Sequence, residues 1–346
     1  MYSGGATGTH TPRSSQNLRP LILNHGSLEY AFLIPTGLHY QATNLKDAFK
    51  TSLPEPTDEL AQDDEPSSAA ELVARYIGFI AQEVEDDEES GSFVKVLKVV
   101  LNEFERSFMH ANDVHALAAS LPGITAKKLL VVQCYYNGRA AASRPIKPHD
   151  SALLRAADDE DASIFTVFGG QGNIEEYFDE LREVYTTYQS FVNDLISSSA
   201  ELLQSLARSS EADKFYSKGM DVMNWLENKE SQPDTDYLVS APVSLPLIGL
   251  VQLAHYQVTC KALGKTPGEV NERFSGTTGH SQGVVTAAAI ATATSWESFA
   301  RAAKDAITLL FWIGMRSQQA YPRTSLAPSI LQDATEAGEG TPTPML

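Results

Sequence analysis

Between Leu72 and Phe108 the apolar residues recur at helical spacing. Leu72, Tyr76, Phe79 and Ile80 share one face of a first segment, and Phe93, Leu97, Val100, Leu101, Phe104 and Phe108 share one face of a second. A turn of 3.6 residues brings such positions into one stripe, so the pattern predicts two amphipathic helices packed on a folded region. Ser68 with Glu71 three residues on predicts a capping box at the start of the first. Upstream, the clustered aliphatics of "LRPLILNHGSLEYAFLIPT" suit one or two strands. Residues 18–150 therefore read as a mainly helical region after a short extended start.

The stretch "NGRAAASRPIKPHD", 137–150, is rich in small residues and proline and is expected to be a connector. Beyond it the period changes. "SIFTVF", 163–168, has the pattern of a short buried strand and ends in Gly169-Gly170-Gln171-Gly172; Tyr177, Leu181, Tyr185, Tyr188 and Phe191 then form a helical stripe. The same order of strand, turn and helix recurs in "RFSGTTGHSQGVVTAAAIA". Repetition of that order predicts an α/β fold whose ligand site lies at the carboxyl ends of strands. The expected organisation is a disordered tail over 1–17, the helical region over 18–150, a second core over 160–330, and a linker over 331–346.

With 346 residues and 42% hydrophobic content, the chain is long enough for one large domain or two ordinary ones. The apolar runs "LPLIGLVQLA" and "AITLLFWIGM" are too short to span a bilayer unbroken and read as buried helices, so no membrane is expected. The first sixteen residues lack the apolar stretch of a secretory signal, and the two cysteines, Cys134 and Cys260, form no metal-binding or disulfide pattern. A cytoplasmic protein without a metal or bound cofactor is the expectation. A net charge of −18, with acidic runs at 63–65 and 83–89 that read as solvated loops, would repel a phosphate backbone and argues against nucleic acid as a partner.

Three motifs bear on chemistry. In "GQGNIE" the third glycine of a dinucleotide fingerprint is replaced by Glu175, and Glu176 follows at the same helix start, where a pyrophosphate needs a positive field. "GKT", 264–266, lacks the first glycine of a phosphate loop, and Pro267 interrupts the helix expected after it; it reads as a surface loop. "GHSQG", 279–283, matches the nucleophile elbow, in which glycines leave room for a sharp turn that lifts a serine out of the sheet. Ser281 is the candidate nucleophile, Gly279, His280 and Gly283 shape the turn, and the N–H of Gln282 is placed to meet a developing oxyanion.

"FTVFGGQGN", "GHSQG" with its trailing helix, "LILNHGSLEYAFLIPT" and "LPEPTDELAQDDEPSSAAELV" together resemble the amino-terminal part of the β subunit of fungal fatty acid synthase, from about Leu18 to Leu346. That part is the acetyltransferase that loads the starter unit. The resemblance implies an incomplete α/β-hydrolase-like acyltransferase core. It also implies ping-pong transfer of acetyl from acetyl-CoA, through an ester on Ser281, to the phosphopantetheine of an acyl carrier domain of the α subunit. Gln171, with Gly170 and Gly172 beside it, is implied as support for the elbow and oxyanion site. The implied general base is a histidine after a ferredoxin-like subdomain downstream. No histidine follows His280, so the chain is expected to stop short of it. Ile313 aligns where malonyl-transferring relatives carry an arginine, which implies acetyl preference; Arg316, one turn on, is the competing register.

The same motifs suit the β subunit of a synthase that makes a short fatty acid starter for a polyketide pathway. An esterase also uses an elbow with an oxyanion site, and a fragment without its base is alternatively a structural piece of the synthase.

Overall fold

The computed structural model describes residues 17–53, 65–86, 91–109, 113–174, 176–320, 332 and 336–338, apart from the side chains of Asp86 and Asn173. The tail 1–16, most of the 63–65 run, residues 87–89, Glu175 and most of the segment 331–346 lie outside the described residues. Contacts divide the chain into two compact units: Met1–His149 with Val184–Val192 and Lys261–Gly264, and Asp150–Glu183 with Asn193–Cys260 and Lys265–Leu346.

The first unit opens with an antiparallel hairpin, β1 (Leu18–His25) and β2 (Leu28–Pro35), in a register running from Leu18 opposite Pro35 to His25 opposite Leu28. Gly26 takes a positive φ of 54° in the tight turn, which suits a residue without Cβ. Alternation sends Leu21, Leu23, Phe32 and Ile34 into the core and leaves Leu18, Ile22 and Leu33 outside. Helices α1 (His39–Ser52), α2 (Ala69–Asp86), α3 (Gly91–Phe108), α4 (Val114–Ser120) and α5 (Thr125–Ala141) follow. The α2 stripe buries Leu72, Tyr76 and Ile80, and the α3 stripe buries Leu97, Val100, Leu101 and Phe104.

Ser68 caps α2 through its hydroxyl, which accepts the Glu71 N–H at 3.2 Å. The other half of the expected box differs. The Glu71 carboxylate accepts from the N–H and hydroxyl of Ser67, at 2.8 and 2.7 Å, and pairs with Arg75 at 2.6 Å. Glu71 is buried, so a charged partner on its own helix outweighs the local box. The run 83–89 is also not all loop, because its first residues complete α2.

The segment 137–150 is helical as far as Ala141. The connector reading fails there because of packing: a Cβ at Gly138 would stand 2.2 Å from Ile77 Cγ2, and one at Gly78 would stand 2.6 Å from Cys134 Sγ. Each glycine lets α2 and α5 approach closely, and close packing outweighs helix propensity here. Arg139 holds Glu105 at 3.0 Å, Arg144 holds the other oxygen at 3.0 Å, and the Tyr135 hydroxyl completes the cluster.

From Asp150 onward the order along the chain is α6 (Ala152–Asp158), β3 (Ile164–Phe168), α7 (Tyr177–Thr187), α8 (Gln189–Ala207), α9 (Val222–Glu227), α10 (Thr235–Leu238), α11 (Ala241–Ala262), α12 (Pro267–Asn271), β4 (Phe274–Gly279), α13 (Gly283–Ala291) and α14 (Trp296–Ala320). The single stripe from Tyr177 to Phe191 is two helices. The Tyr188 N–H closes α7 on Val184, while its carbonyl accepts from Phe191 and Val192 and opens α8. The β-branched Thr186 and Thr187 weaken the helix just before the break.

The strands β3 and β4 form a parallel pair in which Phe165, Val167 and Phe168 lie opposite Gly276, Thr278 and Gly279. Parallel strands are ordinarily covered on both faces. The expected burial of "SIFTVF" is not met: α13 packs on the pair and leaves Ile164, Thr166 and Phe168 half-buried, whereas Phe165 and Val167 are 63% and 70% exposed.

At 22 residues α11 is long and apolar enough to cross a membrane, contrary to the reading of its core run, and 83% of its most apolar window is buried inside the protein. Pro246 lies within it and has no N–H for the Pro242 carbonyl, which instead accepts the Tyr216 hydroxyl at 3.1 Å. Pro267 opens a helix rather than interrupting one: Thr266 and Glu269 form a capping box around it at the start of α12. The stretch 264–266 is the expected loop, between α11 and α12, but Lys265 within it is buried rather than at the surface and pairs with Asp150 at 2.9 Å. The Lys265 ammonium holds the Asp150 carboxyl below its ordinary range. Cys134 and Cys260 are free and buried, and burial pushes both thiols up to about 12. The described residues form a mostly helical protein with two small sheets.

Candidate active site

Ser281 lies in the tight reversal between β4 and α13, is exposed, and has φ of 52°. For a residue with a Cβ that conformation costs about 1 kcal/mol or more, and such strain concentrates at functional turns. Packing around the turn imposes it. The His280 N–H donates to the Phe168 carbonyl at 2.9 Å, tying the elbow to the end of β3, and the Gly283 N–H returns to the His280 carbonyl at 2.9 Å. A Cβ at Gly279 would lie 2.2 Å from the Gly283 carbonyl, and one at Gly283 would lie 2.2 Å from the Phe168 carbonyl oxygen. Both glycines are thus required by backbone atoms that cannot step aside.

The 169–172 turn meets the elbow through Gly170 and through the Gly169 carbonyl, whose oxygen lies 2.5 Å from where a Gly283 Cβ would stand. A Cβ on Gly170 would come within 2.9 Å of Ser281 Cβ and 3.4 Å of His280 Nδ1, whereas a Cβ on Gly169 or Gly172 would meet nothing within 4 Å. Gly172 is therefore not brought against Ser281. The Gln171 side-chain amide donates to Ser244 Oγ at 3.0 Å, and Ser244 is fully buried in α11. Its side chain anchors the turn to that helix and makes no hydrogen bond to Ser281. A second anchor, from Gln252 Nε2 to the Gly169 carbonyl at 2.8 Å, was not foreseen from sequence. Its only signal is a polar residue within the apolar run of α11.

Ser281 stands at the N-terminus of α13, where unpaired N–H groups and the helix dipole favour developing negative charge. Among the described residues the Gln282 N–H donates to no partner and no side chain hydrogen-bonds the Ser281 hydroxyl. The Gln282 side chain is 7% exposed with both polar atoms unpartnered among the described residues, as is the hydroxyl of Thr286 one turn on. A nucleophile with a free N–H beside it suits attack on a carbonyl and capture of the resulting oxyanion.

Two histidines of the helices, His255 and His115, are engaged away from Ser281. His255 Nε2 lies 2.8 Å from Glu180 on an exposed face. His115 Nε2 meets the Tyr188 hydroxyl at 3.2 Å, and its pKa is lowered by burial, with Asp113 opposing. His280 is exposed beside the nucleophile. Ile313 on α14 is 39% exposed, and Arg316 is committed to Glu211 and to Gln319.

Residues 17–142 match a family described as the N-terminal domain in fatty acid synthase subunit beta, and residues 166–342 match one described as the starter unit:ACP transacylase in aflatoxin biosynthesis. The chain is 48% identical over 334 residues to a fatty acid synthase subunit beta of Saccharomyces cerevisiae, covering 95% of this chain and 16% of that one. It is 43% identical over 338 residues to the fatty acid synthase beta subunit TOXC of Cochliobolus carbonum, covering 97% and 16%. Over 240 residues it is 42% identical to the fatty acid synthase beta subunit aflB of Emericella nidulans, covering 69% and 11%. The chain thus spans about one sixth or less of the length of these relatives.

Proposed function

The chain belongs to the family of fungal fatty acid synthase β subunits, and from that premise we propose that Ser281 carries out starter-unit transfer, taking acetyl from acetyl-CoA and passing it to the phosphopantetheine thiol of an acyl carrier domain of the α subunit. The observation that carries this reading is the exposed serine at φ of 52° at the start of α13.

The Ser281 oxygen attacks the thioester carbonyl and gives up its proton. The oxyanion meets the Gln282 N–H and the α13 terminus; its collapse expels the coenzyme A thiolate, which takes a proton, and leaves acetyl on the serine. In the second half the carrier thiol attacks the ester, the thioester forms, and the serine oxygen regains its proton. The proton acceptor implied by the resemblance is a histidine; among the described residues no side chain hydrogen-bonds the Ser281 hydroxyl. Removing the base of such a transfer slows turnover by roughly 10²- to 10⁴-fold.

The test is intact-protein mass spectrometry with acetyl-CoA, malonyl-CoA or no donor. An acetyl adduct that is lost in Ser281→Ala is expected; an adduct retained in that variant refutes the assignment.

The alignment of Ile313 with the arginine of malonyl-transferring relatives favours acetyl over malonyl: if Ile313 lines the acyl pocket, a free carboxylate there lacks a partner, and Arg316 is already paired with Glu211. Ile313→Arg is expected to raise malonyl acceptance; loss of acyl binding in Arg316→Ala would move the specificity position there.

The aflatoxin-related family match favours a second reading, a β subunit of a synthase making a short starter for a polyketide. Product analysis of the assembled synthase separates the two.

A further inference from the structure

We propose that Gln252 is a positioning residue for acyl transfer at Ser281, a role that rests on the acyl-serine reading above. Gln252 lies on α11, two helical turns beyond Ser244. Its side-chain N–H donates to the Gly169 carbonyl at 2.8 Å, and since only the nitrogen of an amide donates to a carbonyl, the orientation of the amide is settled by its partner. In a trans peptide the carbonyl and the following N–H point in opposite directions. Holding the Gly169 oxygen therefore fixes the whole 169–170 peptide, including the direction of the Gly170 N–H.

That peptide bears on the nucleophile from two sides. Gly170 is the residue whose Cβ would press on Ser281 Cβ at 2.9 Å, and the Gly169 carbonyl oxygen lies 2.5 Å from where a Gly283 Cβ would stand. The Gln171 bond to Ser244 anchors the next residue of the turn to the same helix. Glycines offer no side chains to hold a turn in place, and Gly169 and Gly170 are free to adopt many backbone conformations. The two amides attached to α11 supply the constraint. Gln252 therefore sets where the turn meets the elbow without touching the reacting atoms.

The variants Gln252→Leu and Gln252→Glu test this in the full-length polypeptide, by rapid-quench acylation with acetyl-CoA. Both remove the donor near neutral pH, the second with almost no change of shape. Each is expected to slow acylation roughly ten-fold or more, on the scale set by displacing a reacting geometry by a fraction of an ångström, with the KM for acetyl-CoA unchanged. As pH falls, the carboxyl introduced by Gln252→Glu takes up a proton and donates it to the Gly169 carbonyl as a hydrogen bond. The rate of Gln252→Glu relative to the parent should then recover while that of Gln252→Leu does not. The His255 side chain of α11, one turn away and in contact with Glu180, is unchanged in both variants. Acylation within two-fold of the parent in both variants overturns the proposal. So does a slow Gln252→Glu that fails to recover at low pH with an unchanged Tm. If Ser281→Ala still forms the adduct, the acyl-serine reading itself has failed, and the two failures are thereby told apart.

Discussion

The α2–α5 crossing and the elbow both depend on missing side chains, but for different reasons. At the crossing, a Cβ on Gly138 or Gly78 meets the end of another side chain, Ile77 Cγ2 or Cys134 Sγ. At the elbow, a Cβ on Gly279 or Gly283 meets main-chain atoms: the Gly283 carbonyl, or the carbonyls of Phe168 and Gly169. A side chain can change rotamer; a strand end already committed to hydrogen bonds cannot. The first kind of glycine sets a packing distance and its loss is a matter of stability, while the second sets the conformation of a reactive turn.

The sharpest test of that distinction is Gly283→Ala. Its methyl group must push the end of β3 away from α13, so acylation of Ser281 should fall by about 10²-fold or more, measured as the initial rate of adduct formation. An unchanged rate would remove the contrast between the two regions. Next, Gly138→Ala should cost about 1–3 kcal/mol by overpacking, read from denaturant unfolding, with acylation by the folded fraction unchanged. Combining it with Ile77→Ala should give a loss smaller than the sum of the two single changes, because they share one contact. Additive losses would mean that Ile77 is not what Gly138 accommodates.

The smallest effect concerns pH. Asp150 is held below its ordinary value by Lys265, so the unfolded chain binds the proton more readily than the folded one. Their contribution is present in full above about pH 4 and disappears as pH falls through the lowered folded value. Asp150→Asn should flatten that part of the stability profile; an unaltered acid limb would show the pair to be without consequence.

The order of strand, turn and helix around Ser281 was legible because glycine spacing and apolar period are local properties. The stripes of α2 and α3 were legible for the same reason. What escaped the sequence depends on partners far along the chain. Gly138 looks like a loop residue until Ile77 stands opposite it, and Pro267 looks like a breaker until Thr266 caps the helix it opens. The exposure of Phe165 and Val167 could not be read from "SIFTVF", since burial of a strand is decided by what covers its second face. Within the candidate site, "GHSQG" announced the elbow. Nothing in "GGQG" announced that its two anchor points, the Ser244 hydroxyl and the Gln252 amide, sit on α11.

The two cysteines give the molecule a pair of internal clocks. Cys134 belongs to the first unit and Cys260 to the second, and each thiol is both buried and pushed up to about 12. Near neutral pH almost no thiolate is presented to solvent, so an alkylating reagent can act only on molecules in which the surrounding helices have opened. The order in which the two sites acquire label, followed by peptide mass, therefore ranks the opening rates of the two units within a single sample, with no engineered probe and no substitution in either core.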